Sequence, residues 1–184
     1  MTPFANFLTR IANWKTLLFL GVIYVSFPAY WFKNAGATIS QLAGKPVDPI
    51  DLTFGFNPAR TLAMVAGYGP TARAFYARTE LTIDLVYPVV YSFLLAVILT
   101  MLFRHWSNRQ FVLLPFVVLL SDYLENAAIV TLLTGYPAQS MTVAVLCEVF
   151  KLIKWLSFGI TVCLVVYGLV LRVSGRRDAR PRNG

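Results

Sequence analysis

From Phe111 to Leu133 the chain reads FVLLPFVVLLSDYLENAAIVTLL. About 20 apolar residues, each rising 1.5 Å along a helix, are enough to cross the hydrocarbon core of a bilayer. This stretch meets that length and yet places Asp122, Glu125 and Asn126 in its middle. The spacing i, i+3, i+4 puts all three on one helical face, with Ser121 at its border. Ionisable groups at such depth cost at least ~2.5–3.5 kcal/mol each to insert, so they demand partners or a function. The next apolar run, Met141 to Leu171, repeats the anomaly with Glu148, Lys151 and Lys154.

Reading outward, four segments qualify as spans: about residues 14–32, 81–103, 111–134 and 138–171. The last is longer than a bilayer requires, so it is expected to tilt or emerge. The predicted fold is all-α, a single membrane domain over residues 1–184 with four antiparallel transmembrane helices. A helical extracytoplasmic loop (33–80) and a cytoplasmic Arg-rich tail (172–184) complete it. Composition agrees: 58% of the 184 residues are hydrophobic, 13% are charged, and mean hydropathy is +0.65. A soluble domain carries about twice that charge.

The net charge of +8 does not read as nucleic-acid binding, because of where it lies. Arg10 and Lys15 precede or open the first span. Arg104 and Arg109 flank His105 in the short second loop, and Arg172, Arg176, Arg177, Arg180 and Arg182 follow the fourth span. Residues 135–140 carry no Lys or Arg. This is the positive-inside pattern for cytoplasmic N- and C-termini in a cell (inner) membrane. The cations of the long first loop (Lys33, Lys45, Arg60, Arg73, Arg78) count little under that rule. The first span is read as uncleaved, because Pro28, Tyr30, Trp31, Phe32 and Lys33 separate it from the small residues Ala35-Gly36-Ala37.

Cys147 and Cys163 lie about 24 Å apart on one helix and cannot pair. One histidine, no CxxC, no phosphate-binding loop and no Ser/His pair argue against thiol redox, haem, phosphoryl-transfer and serine-hydrolase chemistry. No metal and no cofactor are expected.

In the first loop, residues 34–56 read as irregular. Asn57-Pro58 then opens a short helix to about Ala66, with Asn as cap and Pro in the first turn. Asn57-Pro58-Ala59-Arg60 is similar to the aquaporin pore motif. Aquaporins need six spans and two such motifs, however, so here Asn-Pro reads as a helix start. Phe54, Phe56, Leu62 and Met64 leave this helix either interfacial or docked on the bundle. Helix restarts at Thr71 and is expected to run unbroken into the second span.

On that second span Glu80, Asp84, Tyr87 and Tyr91 share a face beside Pro88, which removes one main-chain hydrogen bond. Folding the last two spans about a point between Tyr136 and Pro137 sets Asp122 opposite Lys151 and Glu125 opposite Glu148. An Asp122–Lys151 ion pair and a proton-sharing Glu125–Glu148 pair are therefore predicted, with Lys154 as a compensating charge. Glu125 and Glu148 are the acid/base candidates; Asp84, Tyr87, Tyr91, Asp122, Tyr123, Asn126, Lys151, Lys154 and Trp155 are the ligand-binding candidates.

Asp122-Tyr123-Leu124-Glu125-Asn126, followed by Tyr136-Pro137 and Lys154-Trp155, resembles small, uncharacterised bacterial four-helix integral membrane proteins. The resemblance implies the fold and brings no activity. Proteins like the four-helix sterol isomerases and the sigma-2 receptor also bury carboxylates among four helices, which adds only the idea of an acid site reachable from lipid. The resulting expectation is a buried carboxylate/lysine site between the second, third and fourth spans, binding or acting by acid/base chemistry on a small amphipathic or lipid-like molecule. The alternatives are a proton- or ion-coupled transporter, working as a homo-oligomer, and a structural protein whose charges join helices.

Overall fold

A computed structural model describes residues 3–106 and 110–178, with side chains up to residue 175. It is all-helical, with no strand among the described residues. The elements are α1 (Pro3–Ile11), α2 (Trp14–Ser26), a π-helical segment (Phe27–Phe32), α3 (Lys33–Ala43), α4 (Pro58–Gly67), α5 (Pro70–Glu80), α6 (Ile83–Leu102), α7 (Leu114–Thr134) and α8 (Met141–Asp178). Short 3₁₀ turns cover Ile50–Leu52 and Gln110–Leu113. Four helical stretches are long and apolar enough to cross a membrane: Trp14–Ala43, Pro70–Leu102, Gln110–Thr134 and Met141–Gly175.

These agree with the four expected segments in number and differ in extent. The first helix does not stop at residue 32. Pro28 has no N–H to donate, and the chain relaxes into wider π turns before α3 continues to Gly44, whose φ of 68° ends it. The second is interrupted at Leu81–Thr82, between α5 and α6, rather than running through. The fourth starts at Met141, not 138. The helix α1 was not expected at all; Asn13 caps α2 by accepting from the Thr16 N–H and so separates the two. Of the Arg-rich tail, Arg172 is described with its side chain and Arg176 and Arg177 by backbone alone. Arg180 and Arg182, like Arg109, lie outside the described residues.

The α7–α8 hairpin is the spine. Beside it stands α6, which α2 and α1 cover from outside. One apolar cluster joins Leu8 of α1 to Ala96, Leu99, Phe103 and Val112. At the other end α3, α4 and α5 form a cap on the hairpin, with Tyr68, Tyr76, Val65, Ile129, Leu132 and Cys147 at its centre. The helix α4 is docked: Thr61 and Val65 are buried, and Gln139 Nε2 donates to the Leu62 carbonyl at 2.9 Å. Its predicted cap is present, Asn57 Oδ1 accepting from the Arg60 N–H at 3.0 Å. Arg73 of the cap is buried, lies 3.8 Å above the Tyr136 ring and donates to the Val65 carbonyl. Burial and the nearby Asp51 and Asp48 carboxylates push the Tyr68 phenol well above its usual range, and its O–H donates to the Asp48 carbonyl.

Candidate functional site

The single polar cluster seen in the sequence is two clusters in space. The predicted Asp122–Lys151 and Glu125–Glu148 pairs do not form. The connection 135–140 centres one residue later than the assumed fold point, so the next residue on that face of α8, one turn on, comes opposite α7. Lys154, not Lys151, meets Asp122 Oδ1 at 3.2 Å and Glu125 Oε2 at 2.5 Å.

Lys151 belongs to the second cluster, under the cap. Its Nζ reaches Glu148 Oε1 at 2.6 Å and Thr53 Oγ1 at 2.7 Å. Glu148 Oε1 also accepts from Thr61 Oγ1 at 2.6 Å, and its Oε2 from the Asn57 N–H at 3.1 Å. Both carboxylate oxygens are engaged and both side chains are buried. This arrangement ties α8 to the loop before α4 and to α4 itself. Glu148 therefore stands apart from Glu125.

The first cluster surrounds a cavity of about 360 Å³. Tyr24, Pro28 and Phe32 line it from the α2 side, Asp51 and Leu52 from the 3₁₀ turn, and Asp84, Tyr87 and Tyr91 from α6. Val118 and Asp122 of α7 and Lys154, Trp155 and Phe158 of α8 complete the wall. The wall is largely aromatic: the Tyr87 ring lies 5.0–5.6 Å from those of Tyr24, Phe27, Phe32 and Tyr91. The Trp155 ring lies tilted, 5.1 Å from that of the exposed Phe54.

Pro88 shapes this wall. Having no N–H, it leaves the carbonyl of Asp84 without its helical donor. Asn126 Nδ2 of α7 supplies one at 3.2 Å and holds the Asp84 carboxylate through Oδ2 at 3.1 Å. One turn on, the Tyr123 O–H donates to the Leu85 carbonyl at 2.7 Å. Tyr123 therefore braces α6 and does not line the cavity. Such rescue from a neighbouring helix is what makes proline tolerable where water is scarce.

The charges are arranged around Lys154. Asp122 is satisfied on both oxygens, Oδ2 accepting from Tyr91 O–H at 2.6 Å. Asp51 uses Oδ1 for Tyr76 O–H at 2.9 Å. Among the described residues, Asp51 Oδ2 and Asp84 Oδ1 accept no hydrogen bond and the buried Trp155 Nε1 donates none; all three belong to cavity-lining residues. Glu125 is completely buried behind Lys154, and its Oε1 has no partner.

Six sequence candidates thus meet at the cavity: Asp84, Tyr87, Tyr91, Asp122, Lys154 and Trp155. Glu125 and Asn126 stand directly behind them, while Tyr123, Glu148 and Lys151 serve elsewhere. Sequence reasoning missed Asp51, Tyr24 and Phe158. Asp51 was the one with a signal, a lone acid in the apolar Pro49-Ile50-Asp51-Leu52 turn. Among the described residues, no three His, Cys, Asp or Glu side chains gather as a metal site. No protein family, curated protein or solved structure matches this chain.

Proposed function

We propose that the chain is a multi-pass inner-membrane protein, with both termini cytoplasmic, whose cavity binds a small amphipathic molecule with a hydrogen-bond-donating, cationic polar end. Membrane insertion is supported by the exposed apolar side chains of the outer helices, including Leu18, Phe19, Val22 and Val25 of α2 and Leu156, Val166 and Val170 of α8. A water-facing surface would not carry such continuous apolar area. The orientation rests on the positive-inside pattern. The cap then lies on the extracytoplasmic side.

The observation that carries the ligand reading is the pair of free acceptors at one end of an aromatic cavity. Among the described residues Asp51 Oδ2 and Asp84 Oδ1 have no donor, and Lys154 is already held by Asp122 and Glu125. Asp51, Asp84, Asp122 and Glu125 outnumber Lys154, so a cationic group is the natural complement. A volume near 360 Å³ lies within the range of small-molecule sites, about 300–1,000 Å³. Any acid/base step would fall to Asp84, which faces the cavity with a free oxygen. Helix joining, by contrast, fits Glu148 and Lys151, whose polar atoms are all engaged.

The test uses tail-matched probes. Dodecylamine, dodecanol and dodecanoate are titrated into the detergent-solubilised protein and followed by tryptophan fluorescence and native mass spectrometry. The amine should bind at least ~10-fold tighter than the carboxylate, and Asp84→Asn should remove most of that preference. Equal binding of all three probes, or an unchanged preference in Asp84→Asn, would sink the reading.

A further inference from the structure

A second cavity opens at the opposite end of the bundle, and it has the opposite charge. Its volume is about 670 Å³, and it lies where the α1–α2 junction, the end of α6 and the far part of α8 come together. Asn13, Trp14, Arg104, His105, Trp106 and Arg172 line it, and among the described residues no carboxylate does. Arg104 and Arg172 come from two different elements, so the cationic character is built by the fold and not by one run of sequence. A planar guanidinium with a fork of N–H donors is the side chain best matched to a phosphate.

A separate feature says what carries that phosphate. Trp14 lines this cavity and also begins an apolar furrow of about 520 Å³ along α2, bounded by Leu18, Gly21, Val22, Val25 and Leu94. Nothing lies within 4 Å of where a Cβ on Gly21 would stand, so the furrow is open along that face. A cationic pocket continuous through one tryptophan with an apolar channel has the shape and polarity of a phospholipid. Trp14 and Trp106 would stand at headgroup level, where indoles favour the boundary between water and lipid.

We propose that this end of the bundle holds one anionic phospholipid, its phosphate against Arg104 and Arg172 and one acyl chain along the Trp14–Val25 furrow. The site rests on the membrane reading but is independent of the acidic cavity and shares no residue with it.

The full-length protein in detergent is titrated with dioleoyl phosphatidylglycerol and dioleoyl phosphatidylcholine, and bound lipids are counted by native mass spectrometry. One phosphatidylglycerol should bind at least ~10-fold tighter than phosphatidylcholine, since charge-assisted contacts separate the two headgroups. Arg104→Gln/Arg172→Gln should bring the two lipids level. Both residues are exposed, so the variant is expected to fold, which its unfolding midpoint checks. Gly21→Leu places its Cβ in open space, narrows the furrow and should weaken both lipids several-fold. Asp84→Asn should change nothing here, which separates this site from the acidic cavity. Equal binding of the two lipids, or a preference that survives the double arginine substitution, overturns the proposal. Displacement of phosphatidylglycerol by millimolar inorganic phosphate, with Gly21→Leu neutral, would make this a free-anion site and overturn it as well.

Discussion

Pro88 withdraws one hydrogen bond from α6, and Asn126 returns it from α7 while gripping the Asp84 carboxylate. Both contacts are buried, so Asn126→Leu leaves a carbonyl and a carboxylate oxygen unpaired. A loss of about 2–3 kcal/mol is expected from unfolding in detergent. Lys154 is the other indispensable residue. Lys154→Met strands Asp122 and Glu125 as uncompensated buried acids and should cost about 3–5 kcal/mol. Adding Asp122→Asn and Glu125→Gln to the same chain should recover most of that loss; a triple variant no more stable than the single one would contradict the pairing. The residue types were legible in the sequence, because a charge inside an apolar run announces itself. The partner of Asp84 was not. It depends on a carbonyl freed four residues before Pro88, and only the packing of α7 on α6 reveals which side chain fills it.

Among the elements, the docked cap is held by one buried knot. Thr61 of α4 and the Asn57 N–H both bond to Glu148 of α8, and Thr53 bonds to Lys151. Thr61→Val should cost about 1–2 kcal/mol and speed proteolysis between residues 44 and 57, while leaving the amine preference of the cavity intact. A change in that preference would mean the two clusters act as one. Where α8 crosses α6, a Cβ on Gly168 would come within 2.9 Å of the Phe103 ring. Gly168→Leu should therefore push the helices apart, at about 1–3 kcal/mol. The helices were legible because their lengths and apolar runs are local properties, and so was the α4 cap at Asn57. The register of the hairpin was not, since it turns on how residues 135–140 are spent, and an error of one residue there shifts the residue at equal depth by two, enough to hand the pairing from Lys151 to Lys154. The helix α1 was missed for a related reason: its nine residues are too few to stand out, and Leu8 is buried only because α6 is there to receive it.

For the molecule as a whole, the two cavities give the bundle a polarity from end to end, acidic under the cap and basic beside Arg172. That polarity predicts opposite exposure in a membrane. In a Cys147→Ala/Cys163→Ala background, Lys45→Cys should react with an impermeant maleimide from outside the cell, and His105→Cys only after the membrane is opened. Labelling of both from one side would contradict the topology. The pairing of Lys154 with α7 also has a consequence for synthesis. On the membrane reading, a chain made from its N-terminus exposes Asp122 and Glu125 to the insertion machinery before their common counter-ion, Lys154, has been translated. The third segment is then expected to wait for the fourth, the two entering the bilayer together as a hairpin. A nascent chain stopped at residue 150 should remain extractable by alkaline carbonate, and one extended past Lys154 by the few tens of residues that fill the ribosomal tunnel should not.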